Sequence, residues 1–249
     1  MAIKIADSVP KHVAQFLKAS SELKLLQNAH LEHLAKINST DTFPDSESIF
    51  IRAGITLLCS AWEAYVEDLA RNGIAFLIQN CKEPKDLPEG VRKNITKEIK
   101  QDKNELAPWM LAGDEWRNVV MKRFESAIAR EANALNSPKA HKVKSVFADM
   151  LGIDDITSCW HWEMFDVSSV CDLIDHLVEI RGSIAHGRNP AFPAQTVRLL
   201  YLEAVATQCA FLMNNFVREQ LISTTGKDPW AMVRYNQDWT KFCTKDETA

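Results

Sequence analysis

Glycine and proline are scarce in this chain, 8 and 9 of 249 residues, together roughly half the usual share. So few turn-formers over such a length disfavour a turn-rich β-sandwich and favour long helices. Paired cysteines are missing. The six Cys, at 59, 81, 159, 171, 209 and 243, include no CxxC, so they read as reduced, buried thiols of a cytosolic protein and not as a disulfide or zinc framework. No stretch approaches the ~18 uninterrupted apolar residues of a membrane span. The N-terminal MAIKIADSVPKHV has no apolar leader segment. Positive charge is not in excess: 29 Lys and Arg against 33 Asp and Glu leave a net charge of −4, so any RNA site must be a local basic patch. GxxxxGK[ST], GxGxxG, HExxH and GxSxG are all absent, which removes support for P-loop, zincin and α/β-hydrolase chemistry.

What the chain does have is helical periodicity. Apolar residues make up 46% and charged residues 25%, ordinary for a folded domain that needs no staples. Val13, Phe16, Leu17, Leu23, Leu26, Leu34 and Ile37 predict a first helix over 11–37. Ile51, Ile55, Leu58, Trp62, Tyr65 and Leu69 predict a second over 46–80. Its flanks (Ile49, Leu57, Ala61, Val66) are also apolar, which marks it as central. A third helix is expected over 168–186, ended by Gly187, and a fourth over 195–223. Between the second and third lies a polar, broken segment, 81–165. It holds a thin-striped helix (Val91, Ile95, Ile99), a helix over 114–135, and a short helix opened by Ser137-Pro138 and stopped at Gly152. The reading is all-α: one domain over 1–226 with a four-helix core (10–80 and 165–222), a helical insertion at 81–165, and a loosely attached tail at 227–249 that Trp230 and Trp239 could dock.

Few residues stand out chemically. His30 and His33 lack a third ligand, so no metal is expected. Tyr65 reads as core packing, and Trp160-His161-Trp162 as an aromatic anchor for the insertion more than a base-stacking platform. The basic runs Arg92-Lys93…Lys97…Lys100…Lys103 and Lys139…Lys142…Lys144 are interleaved with acids or lie on a polar helix, so they read as solvated faces more than phosphate contacts. Glu63, beside Trp62 on the second helix, could orient Arg181 or His186 in a cleft, or could form an ion pair or sit at a solvated edge.

The segment 179–189, EIRGSIAHGRN, is different. Arg181 and His186 lie about 140° and 7.5 Å apart on a regular helix, so both can flank one groove. Arg181 adjoins the apolar stripe of Ile180 and Ile184 and can present a planar fork to phosphate. His186 falls in the last turn, where the helix dipole favours imidazolium while Arg181 and Arg188 oppose it, a balance suited to acid–base work. Spacing alone is weak. With these numbers of Arg and His an Arg-x4-His is expected about 0.3 times by chance. Arg181 could instead pair with Glu179, Asp175 or Glu63, and His186 could merely cap the helix.

RGSIAHG, set after LIDHLVEI, together with IRAGITLLCSAWEAYVEDLA in the second helix, resembles the HEPN superfamily, in particular its RiboL-PSP-HEPN and related prokaryotic branches. The resemblance covers about 10–80 and 165–222. It implies an HEPN-like up-and-down four-helix bundle that forms a homodimer, and a metal-independent endoribonuclease, needing no cofactor, that acts on RNA. In that family pattern His186 would assist attack of the ribose 2′-OH, and Arg181 would stabilise the phosphorane. Glu63, Ser183 and Arg188 would support the site. The family also implies a cytoplasmic toxin or defence effector with an antitoxin or defence partner, acting away from membranes. One position departs from the pattern: Gly182 stands where Asn, Asp or His commonly follows the Arg. That favours an alternative, a non-catalytic HEPN-like module binding nucleotide, RNA or a partner protein.

Overall fold

The structure is a computed structural model that describes residues 9–36, 46–135, 138–187 and 196–235. Among the described residues there are seven α-helices and no β-strand: α1 (Lys11–Lys36), α2 (Ser46–Asn80), α3 (Glu89–Gln101), α4 (Trp116–Leu135), α5 (Ala140–Leu151), α6 (Val167–Ala185) and α7 (Thr196–Thr225). The expected all-α architecture is the one observed.

α2 is the axis. Its predicted seam, Ile51 to Leu69, is buried, and so are Val66, Ala70, Ile74 and Leu77 around it. Burying each of the Leu, Ile and Val side chains among them contributes about 1.5–3 kcal/mol. Ile49 and Leu57 remain exposed, so the flanking apolar rows are covered only in part. By length and composition α2 is apolar enough to cross a membrane, contrary to the expectation from uninterrupted runs, because Arg52 and Glu63 break the run while the mean hydropathy of the stretch stays high. Here its apolar rows are covered by α1, α4, α5, α6 and α7.

Side-chain contacts fix the helix directions. His12 meets Asn72 while His30 stacks on Phe50, so α1 and α2 are antiparallel. The Tyr65 hydroxyl donates to Ala210 O, and Gly54 faces Leu199 so closely that a Cβ would clash with its methyl, so α2 and α7 are parallel. Phe165, just ahead of α6, meets Tyr201, and His176 meets Arg198, so α6 runs back along α7. The four long helices therefore alternate up, down, up, down.

The insertion packs on the second half of α2. Arg117 of α4 donates to Ile78 O (3.0 Å) and Cys81 O (3.1 Å), satisfying carbonyls that the end of α2 leaves open. α5 begins later than the Ser137-Pro138 signal predicts: Lys139 is the N-cap position and makes no side-chain cap. The Pro138 carbonyl accepts from Trp62 Nε1 (3.1 Å), and Asp175 of α6 accepts from the first helical N–H, that of Ala140, at 2.7 Å. A tertiary carboxylate thus does what a local cap usually does. At the other end Gly152 takes φ 68° and stops α5. Trp160 is fully buried against Trp62, ring centroids 5.9 Å apart, as the anchor reading expects.

The start of the tail is attached more firmly than its composition suggests. Asn215 of α7 brackets Val233, donating to its carbonyl (2.7 Å) and accepting from its N–H (3.0 Å). Arg218 donates to Trp230 O (2.8 Å) and pairs with Asp228. Trp230 in turn lies edge-on to His12 at 5.1 Å. Trp239 lies outside the described residues.

Candidate active site

α6 starts at Asp166, whose side chain accepts from Ser169 N–H at 2.7 Å, a standard N-cap. Val170, Ile174, Leu177, Val178 and Ile180 are buried, and Leu173 and Ile184 are partly so. This face anchors the helix and fixes the direction of its last turn. Helical geometry persists through Ala185; His186 is the C-cap, its N–H donating to Gly182 O (3.2 Å). Gly187 then turns left-handed at φ 66°, its N–H reaching Ile184 O (3.1 Å). The His186 side chain is exposed at this open end.

Arg181 is half-buried and lies toward α2. The Cys59 thiol donates to Leu177 O at 3.6 Å, which seats α6 on α2 one turn before Arg181. The Arg181 charge is felt at both Cys59 and Glu63. Burial pushes the Cys59 thiol up to about 12, with Arg181 opposing. Burial also raises the Glu63 carboxyl, Glu67 adds to the rise, and Arg181 and Lys142 pull it back. Of the three acids the sequence offers to Arg181, two are committed elsewhere. Glu179 pairs with Lys139 at 2.5 Å, and Asp175 accepts from Ala140 N–H. Glu63 is the one whose carboxyl senses the guanidinium.

Ser183 is half-buried on α6. Arg188 lies outside the described residues. Gly182 is a normal helical residue, and a Cβ built on it meets nothing within 4 Å, so packing within this chain does not require glycine there. Lys142 belongs by sequence to a solvated run, yet it is half-buried and acts on Glu63. No local pattern signals this, since tertiary packing brings α5 onto α2, with Trp62 bonded just ahead of α5 and Leu151 against Gly73 at its end. The neighbouring Lys139 and Lys144 pair with Glu179 and Asp155. Among the described residues no group of three or more His, Cys, Asp or Glu side chains could hold a metal ion.

The arrangement combines a half-buried, fork-shaped cation whose charge reaches the Glu63 carboxyl with an exposed imidazole five residues on. Such a pair can hold a phosphodiester and move a proton at one of its oxygens. No curated protein and no solved structure matches the chain. The RiboL-PSP-HEPN family model matches residues 20–218, a span that takes in 81–165, which the sequence resemblance does not reach. With most of the sequence inside that match, the chain belongs to the RiboL-PSP-HEPN family and carries a HEPN-type domain.

Proposed function

We propose that this protein is a metal-independent endoribonuclease whose site is formed by Arg181 and His186 of two copies meeting across a homodimer interface. The observation that carries the reading is the end of α6: a half-buried Arg181 whose charge is felt at Glu63, and an exposed His186 at the cap. Membership of a HEPN-type family, whose domains serve as ribonucleases or nucleotide-binding modules, supports the substrate class.

In this mechanism the His186 imidazole removes the proton of a ribose 2′-OH. The 2′-oxygen bonds to the adjacent phosphorus, and the P–O5′ bond breaks. The departing 5′-oxygen takes a proton from His186 of the partner subunit. The products are a 2′,3′-cyclic phosphate and a 5′-hydroxyl, and DNA, lacking the nucleophile, is spared. Arg181 donates to the non-bridging oxygens as charge develops on them. Glu63 positions Arg181, and Ser183 and Arg188 add donors around the phosphate. In the cell the activity is that of a cytoplasmic toxin or defence effector, restrained by an antitoxin or defence partner protein.

Purified protein incubated with mixed RNA in EDTA tests this. Cleavage should leave cyclic-phosphate and 5′-hydroxyl ends. Arg181→Ala and His186→Ala should each lower it by about 10²–10⁴-fold, with unchanged melting temperature and oligomeric state. Cleavage by His186→Ala at the wild-type rate would refute the mechanism. A second reading, a non-catalytic module binding nucleotide, RNA or a partner, is favoured by Gly182, which puts no polar side chain next to Arg181. Under it the wild-type protein binds RNA and leaves it intact.

A further inference from the structure

We infer that the outward face of α3 is a docking surface for the phosphodiester backbone of single-stranded RNA, separate from the end of α6; the choice of RNA as occupant rests on the function proposed above. At 100° per residue, Arg92, Thr96, Lys100, Lys93 and Lys97 fall within an arc of about 140°, while Val91, Asn94, Ile95, Glu98 and Ile99 take the rest. The structure realises this division. Val91 and Ile99 are buried and Ile95 packs on the core, whereas Arg92, Lys93, Thr96, Lys97 and Lys100 are all exposed.

The acids that balance this helix in the sequence do not balance it in space. Arg123 of α4 binds Glu98 at 2.8 Å and Asp102 at 3.7 Å, drawing both carboxylates to the inner side. Glu89 pairs with Lys93 at 2.7 Å. Arg92, Lys97 and Lys100 make no ion pair among the described residues. Three cations outside any ion pair therefore share one exposed face, with Glu89 at its edge, on a chain whose net charge is −4. The basic run at 139–144 is its opposite, with Lys139 and Lys144 already paired.

The form of the patch selects its ligand. Arg92, Thr96 and Lys100 succeed one another at i, i+4, i+8, about 6 Å per step along the axis, and Lys93 and Lys97 form a parallel row. The two rows follow a linear chain of phosphates, and with Glu89 at the edge their side chains frame a shallow depression of about 460 Å³; the Thr96 hydroxyl between them donates to Arg92 O at 2.8 Å. An anionic membrane fits less well. A helix lying on a bilayer must bury an apolar face in it, and the apolar face of α3 is already spent against the protein.

The test is binding of a short fluorescein-labelled oligouridylate by the full chain carrying His186→Ala, so that the RNA survives, across a salt series. Adding Arg92→Gln, Lys97→Gln and Lys100→Gln should weaken binding by about tenfold or more and lower the slope of log affinity against log salt by about 2, close to 0.7 per lost single-strand contact. Lys139→Gln with Lys144→Gln should change neither. Unchanged affinity and slope in the triple variant would overturn the inference, as would loss of binding to phosphatidylserine vesicles with RNA binding intact. Failure of the wild type to cleave RNA, with binding still dependent on α3, would overturn the nuclease reading and leave this surface standing.

Discussion

Replacing Gly182 with alanine separates what this glycine does within one chain from what it does between chains. Gly182 lies inside α6, three residues before the helix ends, and its carbonyl accepts from His186 N–H. Glycine in a helix interior costs about 1 kcal/mol relative to alanine, since the unfolded chain has more freedom to lose. A methyl group there has no atom within 4 Å to strike, so nothing in the fold offsets the gain. Gly182→Ala should therefore stabilise the single chain by about 0.5–1 kcal/mol, raising the melting temperature by roughly 1–4 °C for a domain of this size. Differential scanning calorimetry should be run at a dilution where sedimentation shows one chain. A lower melting temperature there would refute the reasoning, because it would mean the folded helix does not leave the space open. At concentrations where two copies associate, the same methyl should weaken the dimer if the end of α6 lies in the interface, and cleavage should fall with it.

Three further outcomes follow from the packing. The ring of His12 is buried and held neutral, Nε2 donating to Asn214 Oδ1 (2.8 Å) and Nδ1 accepting from Asn72 (3.1 Å), and burial lowers its pKa from the usual 6.5. The unfolded chain then binds the proton more readily, so stability should fall as pH drops below about 6.5; denaturant titrations of the wild type and His12→Gln should show that part of the slope lost in the variant. Asp175→Ala removes the acceptor for the Ala140 N–H and should cost about 0.5–2 kcal/mol in chemical unfolding. Asn215→Ala should free the segment around Val233, seen as faster limited proteolysis between 226 and 235 at an almost unchanged global melting temperature.

Local pattern specifies much of this protein by itself. The scarcity of glycine and proline, the 3-and-4 spacing from Ile51 to Leu69, and the Gly152 and Gly187 stops encode seven helices to within a few residues, because helix formation and termination depend on neighbours close along the chain. The RGSIAHG segment likewise locates a candidate site without any structure. Tertiary packing alone decided the rest. It took Glu179 and Asp175 away from Arg181 and left Glu63 to sense its charge, let Lys142 of the insertion act on that same carboxyl, replaced a local cap on α5 with Asp175, and pinned the tail through Asn215 and Arg218. It also drew Glu98 and Asp102 to Arg123 and left Arg92, Lys97 and Lys100 of α3 outside. Each of these is a pairing between residues far apart in sequence. Which partner a charge finds there depends on which helices the core brings together, and no spacing along the chain encodes that.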